Sequence, residues 1–141
     1  MLRMRVRKFS GLALSLFLVA NASAWAAPWF ENDPGFQKAL HQQKSTGEPM
    51  ALYFYTTWCP YCKRFQKNIL NVPKVQAGLQ DALKVQIDVE KSPEVSDEYG
   101  ITSFPHFFVV SSAGDVTPVT TQTSPEDFLK DCKRAGLHVS A

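Results

Sequence analysis

The chain has 141 residues and a formal net charge of +2, and 45% of its residues are hydrophobic. This length and composition predict one globular domain that can bury a hydrophobic core without stapling disulfides. Outside the N-terminal segment, lysine and arginine form no cluster of the kind that binds nucleic acid or an anionic membrane, so neither is expected as a partner.

Residues 1–26 have the features of a secretory signal peptide. A basic start is followed by the apolar run 9–20 and by small residues at 22–26 that are typical of a cleavage site. The alternative is an uncleaved membrane anchor, because residues 9–27 are nearly long enough to span a bilayer. The polar and small residues at the end of the run favour cleavage. We therefore expect residues 27–141 to form the mature domain, in the periplasm or secreted.

Removal of this segment changes the charge balance. Four of the 15 basic residues lie in it, which leaves 11 against 13 acidic residues and a net charge near −2. The net positive charge of the whole chain therefore comes from the predicted export signal and does not indicate a basic binding surface.

Helices and strands are predicted to alternate along the rest of the chain. The predicted order is helix, strand, two helices, strand, helix, two strands and helix, over residues 34–44, 50–55, 60–70, 73–79, 83–89, 93–99, 106–110, 116–119 and 125–134. Residues 50–55 are almost continuously apolar, which is typical of a strand buried on both faces. Asp33 and Ser124 are predicted to cap the first and last helices. This order predicts an α/β fold with a central mixed β-sheet flanked by helices on both faces.

Two of the three cysteines, Cys59 and Cys62, are separated by two residues and follow the predicted strand 50–55. If Pro60 opens the next helix, Cys59 lies at its N-terminus, where unpaired N–H groups and the helix dipole favour a thiolate. Cys62 lies about one turn further on, close enough to form a disulfide with Cys59 and release a bound substrate. In an oxidising compartment the pair is expected as a disulfide unless something reduces it. Such a bridge closes too small a loop to stabilise the fold much, so a chemical purpose is favoured.

A metal site is the main alternative for this cysteine pair. Zinc requires four ligands, and the sequence has no second Cys-X-X-Cys and no His-X-X-X-His, so we expect no zinc. Copper(I) suits a thiolate pair better, although no methionine or histidine cluster accompanies it. Cys132 is expected to be a small buried apolar residue of the last helix, with intermolecular pairing left open.

These motifs, taken together, resemble the thioredoxin superfamily over about residues 36–133. The resemblance depends on segments 52–63, 85–89, 99–105 and 114–116, which include Trp58-Cys59-Pro60-Tyr61-Cys62 and Thr102-Ser103-Phe104-Pro105. The chain is similar to exported thioredoxin-like proteins, including the C-terminal domain of the periplasmic disulfide reductase. The resemblance implies a thioredoxin fold and a redox-active disulfide, Cys59–Cys62, with no other cofactor.

The resemblance also implies roles for residues and partners. Cys59 is expected to attack a substrate disulfide and Cys62 to resolve the intermediate. Pro105 is expected to be cis and to lie against the cysteine pair. Further substrate contacts are expected from the backbone of Phe104 and from Trp58, Pro60 and Tyr61. The implied partners are proteins with disulfides or dithiols and a membrane-bound electron-transfer protein.

This chain departs from the family pattern at two places. Thioredoxin has a buried aspartate six residues before its first cysteine, which accepts the proton of the second; Tyr53 occupies that place here. The proton route must then use water, Lys84, which matches a family lysine, or another group. The dipeptide Pro60-Tyr61 between the cysteines is typical of glutaredoxins, and the resemblance implies that it tunes the redox potential.

The sequence therefore predicts an exported thiol–disulfide oxidoreductase that works in the reducing direction, because its flanking segments resemble reducing members. One alternative is a thiol oxidase, since oxidising members also tend to carry a proline after the first cysteine. Another is a copper(I)-binding or docking module without turnover.

Overall fold

The computed structural model describes residues 28–139, so the predicted signal peptide lies outside the described residues. Within this range the chain forms five strands, five α-helices and one π-helical segment. Their order is β1 (Phe30–Glu31), α1 (Asn32–Thr46), β2 (Met50–Tyr55), α2 (Pro60–Phe65), the π-helical segment (Gln66–Leu70), α3 (Pro73–Gly78), β3 (Leu83–Asp88), α4 (Pro93–Glu98), β4 (His106–Val110), β5 (Val116–Val119) and α5 (Pro125–Arg134). No helix in this range is both long and apolar enough to cross a membrane.

Strand β2 lies at the centre of a single mixed sheet. The strand order is β1-β3-β2-β4-β5, with β2 parallel to β3 and antiparallel to β4. The first five residues of β2 are each 1% exposed or less, because other strands flank it and helices cover both of its faces. This burial explains the continuous apolar run in its sequence and confirms the predicted strand.

Helices cover both faces of the sheet, as predicted. The core under α2 and α5 is aromatic: the Phe107 ring centroid lies 6.2 Å from that of Phe65 and 5.0 Å from that of Phe128. The opposite core, under α1 and α4, contains Phe36 and Val95 together with buried residues of β2 and β3. The two cores hold β2 rigidly, and the cysteine pair follows directly from its end.

The short strand β1 was not predicted, and helix α1 begins before its predicted start. Strand β1 pairs in parallel with β3, and the Asn32 side-chain oxygen extends this contact by accepting the Asp88 N–H at 3.0 Å. Asn32 has a φ of +57°, a left-handed conformation that asparagine tolerates better than most residues. The prediction of Asp33 as the cap was wrong, because Asp33 lies inside the helix and its N–H donates to Ser92 Oγ at 2.9 Å.

The helix predicted over residues 60–70 changes its winding half-way. Helix α2 ends at Phe65, and the chain continues as a π-helix in which the Asn71 N–H donates to the Gln66 carbonyl at 2.8 Å. The next residue, Val72, is extended, as expected before Pro73. The wider turn therefore begins at Gln66.

The last helix agrees with its prediction at both ends. The Ser124 Oγ accepts the Asp127 N–H at 3.1 Å and caps α5. Gly136 follows the helix with a φ of +106°, which only glycine adopts without strain.

Candidate active site

Cys59 lies at the N-terminus of α2, as predicted. It is the cap residue of the helix, Pro60 occupies the first turn, and the Cys59 Sγ accepts the N–H of Cys62 at 3.1 Å. That N–H is one of the donors that a helix leaves unpaired at its start, so it stabilises negative charge on the sulfur. Both cysteines are free thiols in the structure, which is the reduced form of the pair.

The Cys62 thiol lies deeper than that of Cys59. Cys62 is 0% exposed, whereas Cys59 keeps a small exposed surface of 3%. Burial is the main cause that raises the pKa of Cys62 above its ordinary value, and the neighbouring Cys59 thiol adds to it. Interactions with the Thr56 backbone and with the Tyr53 side chain lower the pKa of Cys62 in part. The geometry therefore distinguishes an outer cysteine at the helix N-terminus from an inner one whose pKa is raised.

The loop before β4 approaches the cysteine pair as predicted. The Phe104–Pro105 peptide bond is cis, and the Cys59 Sγ lies 3.8 Å from the Phe104 carbonyl oxygen. Phe104 and Pro105 are each half-buried, so this part of the loop borders both the sulfur and solvent.

Two exposed aromatic residues flank the pair. Trp58 and Tyr61 are each 59% exposed, although side chains of this size are usually buried. The indole N–H of Trp58 donates to Glu90 at 2.9 Å, and its ring meets the Phe104 ring edge-on at 5.7 Å. The Arg64 guanidinium lies over the Tyr61 ring at 5.4 Å. These contacts hold an apolar rim in place around Cys59.

A groove of about 250 Å³ lies between Tyr61 and Pro105. Its polar side chains include Arg64, Asn68 and Gln122. The contribution of residues 121–123 was not predicted, because a loop that follows an edge strand carries no local signal of what it will face.

Tyr53 reaches the inner cysteine from β2. Its hydroxyl accepts a hydrogen bond from the Gln66 Nε2 at 3.2 Å, and Tyr53 and Cys62 shift each other's pKa. Burial, then the nearby Cys62, raises the pKa of Tyr53 well above its ordinary value. Gln66 was missed from sequence, although its position four residues after Cys62 places both on one side of a helix.

Lys84 has no demonstrated connection with the cysteine pair. It lies in β3 and is buried, and burial alone lowers its pKa, with no contribution from either thiol. Its part in proton transfer stays a prediction.

Cys132 is a buried core residue, as predicted. It is 0% exposed and packs in the aromatic core, and burial raises its pKa to about 12. Among residues 28–139, no group of three or more His, Cys, Asp or Glu side chains is placed to hold a metal ion.

Comparison with known proteins agrees with the fold predicted from sequence. A family model described as a thioredoxin-like domain matches residues 36–135. The structure is similar to the crystal structure of the oxidised C-terminal domain of DsbD from Neisseria meningitidis. The two chains are 28% identical with a TM-score of 0.65, and the similarity covers 77% of this chain and 99% of that one. The central mixed sheet and its helices are thus a thioredoxin fold.

Two curated relatives match similar shares of the chain. The chloroplastic thioredoxin-like protein HCF164 of Oryza sativa subsp. japonica is 23% identical over 71% of this chain and 37% of its own length. The thiol:disulfide interchange protein DsbD of Vibrio cholerae is 27% identical over 72% of this chain and 18% of its own length. The chain therefore spans well under half the length of these relatives, and the similarity concerns one part of each.

Proposed function

This chain belongs to the thioredoxin-like domain family, and on that basis we propose that it is an exported thiol–disulfide oxidoreductase that reduces disulfides of periplasmic proteins. The position of Cys59 carries the proposal. Its sulfur caps a helix N-terminus and lies 3.8 Å from the Phe104 carbonyl oxygen, inside a rim of exposed aromatic rings. Rigid aromatic surface of this kind suits a polypeptide substrate, since it offers a large contact area at low entropic cost.

The pair can reduce a disulfide in two steps. Cys59, as a thiolate, bonds to one substrate sulfur, and the other substrate sulfur leaves and takes up a proton. Cys62 then bonds to the Cys59 sulfur, and the second substrate thiol is released. Two electrons pass from the dithiol to the substrate, and the protein is left with a Cys59–Cys62 disulfide. An external dithiol must restore the reduced pair, and we assign this role to a membrane-bound electron-transfer partner.

Substrate contacts are proposed on both sides of the attacking sulfur. The exposed Trp58 ring and the Phe104 backbone can hold the substrate chain on one side. Pro60, Tyr61 and Pro105 border the other side, where the groove of about 250 Å³ can accept a neighbouring substrate side chain. Because Arg64 lines this groove, an acidic or polar side chain is favoured there.

The reducing direction is proposed from the flanking segments, which resemble reducing members of the superfamily. The DsbD relatives are named thiol:disulfide interchange proteins, and this name supports thiol–disulfide exchange in either direction. One observation favours an oxidase instead: Pro60 directly follows Cys59, as in oxidising members. The reduction potential of the cysteine pair distinguishes a reductase from an oxidase. We expect a reductase at about −270 mV and an oxidase at about −120 mV.

Single cysteine variants test the chemistry itself. Cys59→Ser should abolish reduction of a protein disulfide such as that of insulin, and Cys62→Ser should trap mixed disulfides with substrate proteins. Cys132→Ala is the matched control, because it removes a thiol from the α5 core and should retain turnover. Undiminished turnover by Cys59→Ser would contradict the proposal, and tight copper(I) binding by a wild-type protein without exchange activity would favour a copper carrier.

A further inference from the structure

A short polar chain leads from the surface towards the buried Cys62. The half-buried Gln66 donates from Nε2 to the Tyr53 oxygen at 3.2 Å, and its backbone N–H donates to the Cys62 carbonyl one turn earlier in the helix. Since the Tyr53 oxygen accepts from Gln66, its single hydrogen is free to point elsewhere. The interaction with Tyr53 lowers the pKa of Cys62 in part, as expected where that hydrogen is directed at the sulfur.

The ring of Tyr53 is fixed by its neighbours. It is 1% exposed, stacks on Tyr55 with centroids 5.3 Å apart and planes at 13°, and meets Phe65 at 5.5 Å. Trp29 closes a further side of the ring edge-on, at 6.4 Å. A hydroxyl held in this way can change little except the direction of its hydrogen, so the donor is already in place before reaction.

Tyr53 cannot act as the proton acceptor that an aspartate would be. Burial raises its pKa far above the physiological range, so its hydroxyl keeps its proton whenever the protein is folded. A permanently protonated hydroxyl stabilises the charged sulfur by donating a hydrogen bond and takes no proton from it.

We propose that Tyr53 is a catalytic hydrogen-bond donor that stabilises the Cys62 thiolate while the mixed disulfide is resolved, and that Gln66 is a positioning residue that orients the Tyr53 hydroxyl. This inference rests on the proposed function, since it needs Cys62 to be the resolving cysteine.

The step balances without any further reactant. Cys62 loses its proton and its sulfur bonds to Cys59 Sγ, while the bond between Cys59 Sγ and the substrate sulfur breaks. The departing substrate thiolate takes up one proton, so the proton lost by Cys62 and the proton gained by the product cancel. The two electrons end on the substrate thiol, and the Cys59–Cys62 disulfide remains.

The groups that surround Cys62 and Tyr53 are mostly neutral. Beside Tyr53 in the sheet stand Gln86 on β3 and Phe107 on β4. Cys59 is the titratable group from α2 that acts on both Tyr53 and Cys62. The lysine of β3 that lies nearest to Tyr53 in the strand pairing is Lys84, two positions from Gln86. Neither cysteine shifts the pKa of Lys84. The rate of resolution should therefore rise steadily with pH, without the step that a nearby carboxylic acid would add.

Stopped-flow reaction of the reduced protein with Ellman's reagent tests the proposal. Attack by Cys59 releases one coloured thiolate in a first phase, and resolution by Cys62 releases a second one in a later phase. Tyr53→Phe should leave the first phase unchanged and slow the second about tenfold, as expected for a shift of about one pKa unit at Cys62. Its profile of second-phase rate against pH should be parallel to that of the wild type and displaced by about one pH unit.

Two further variants separate the hydrogen bond from general packing. Tyr55→Phe is the matched control, because it removes a hydroxyl from the ring stacked on Tyr53. Burial, Asp88 and Glu31 raise the pKa of Tyr55, and the cysteines do not contribute. It should leave both phases unchanged. Gln66→Leu should slow only the second phase, by a smaller factor of about threefold, since the Tyr53 donor remains but loses its orientation.

The outcomes distinguish the two proposals. A normal second phase in Tyr53→Phe, or equal slowing in Tyr55→Phe, overturns the inference and leaves the assigned cysteine chemistry intact. Persistence of the first phase in Cys59→Ser, or a normal second phase in Cys62→Ser, overturns the cysteine assignment itself. A lost first phase in Tyr53→Phe also counts against the inference, because the hydroxyl would then act on Cys59 or on the fold.

Discussion

A small alkylating agent at pH 7 should modify one cysteine of the native, reduced protein quickly, and that cysteine should be Cys59. Cys59 is 3% exposed, and its Sγ accepts the Cys62 N–H at 3.1 Å, at the positive end of a helix. Alkylation requires a sulfur that the reagent can reach, and an N–H that donates to the sulfur favours its reaction.

The expected magnitude follows from Cys132. Burial first, and the nearby Asp131 second, raise the pKa of Cys132 from 9.0 to about 12. At pH 7 a rise of this size lowers the thiolate fraction about a thousandfold relative to an ordinary thiol. Unfolding offers no faster route, since the unfolded fraction of a stable domain is about 10⁻³ to 10⁻⁶. Cys62, also 0% exposed with a raised pKa, should be slow for the same reason.

The assay is a time course of quenched alkylation followed by peptide mass mapping. In denaturant all three thiols should react at similar rates, which provides the reference for each one. The reasoning is refuted if Cys62 or Cys132 in the native protein reacts within about tenfold of its own rate in denaturant, because burial would then not control its ionisation.

Three further perturbations have defined outcomes. Trp58→Ala should raise the KM for a protein disulfide about tenfold but leave reaction with Ellman's reagent unchanged, because the ring is 59% exposed and serves docking; equal loss with both substrates would contradict this. Ser124→Ala should lower the free energy of unfolding by about 1 kcal/mol in denaturant titrations, with activity retained, since it removes the bond that caps α5. In the oxidised protein, Cys132 should lower that free energy by about 1.4 kcal/mol per pH unit between 9.0 and about 12, because the unfolded chain releases the Cys132 proton first. The buried tyrosines add a fall of the same sign above pH 10.0, since burial raises their pKa too. Cys132→Ala should therefore lose less stability per pH unit than the wild type over this range, and equal slopes in the two proteins would contradict the assignment.

Several elements could be predicted from local sequence because local interactions decide them. The continuous apolar run of β2 requires burial on both faces, and the structure provides it. The hydroxyl of Ser124 and the proline after it mark the start of α5, where the structure begins that helix. The position of Cys59 as a helix cap was predictable for the same reason, since Pro60 opens α2.

Other features depended on partners that local sequence does not specify. Strand β1 is two residues long and exists because β3 offers it a free edge. The helix changes from α to π at Gln66, where the Gln66 carbonyl accepts the Asn71 N–H. Residue propensities did not indicate this change.

The sequence by itself determined the chemistry of this protein: two cysteines at the start of a helix, an α/β fold to hold them, and a proline loop expected beside them. These are properties of short segments, where spacing and residue type are sufficient. The tertiary structure decided what surrounds the inner sulfur. Tyr53 and Gln66 are thirteen residues apart in the chain, on a strand and a helical segment, and they meet only because β2 and the segment after α2 share one core. From sequence, Tyr53 was only the residue that stands where thioredoxin has an aspartate. The folded contacts add the Gln66 side chain, whose bond to the Tyr53 oxygen leaves the hydroxyl hydrogen for the donor role that we propose.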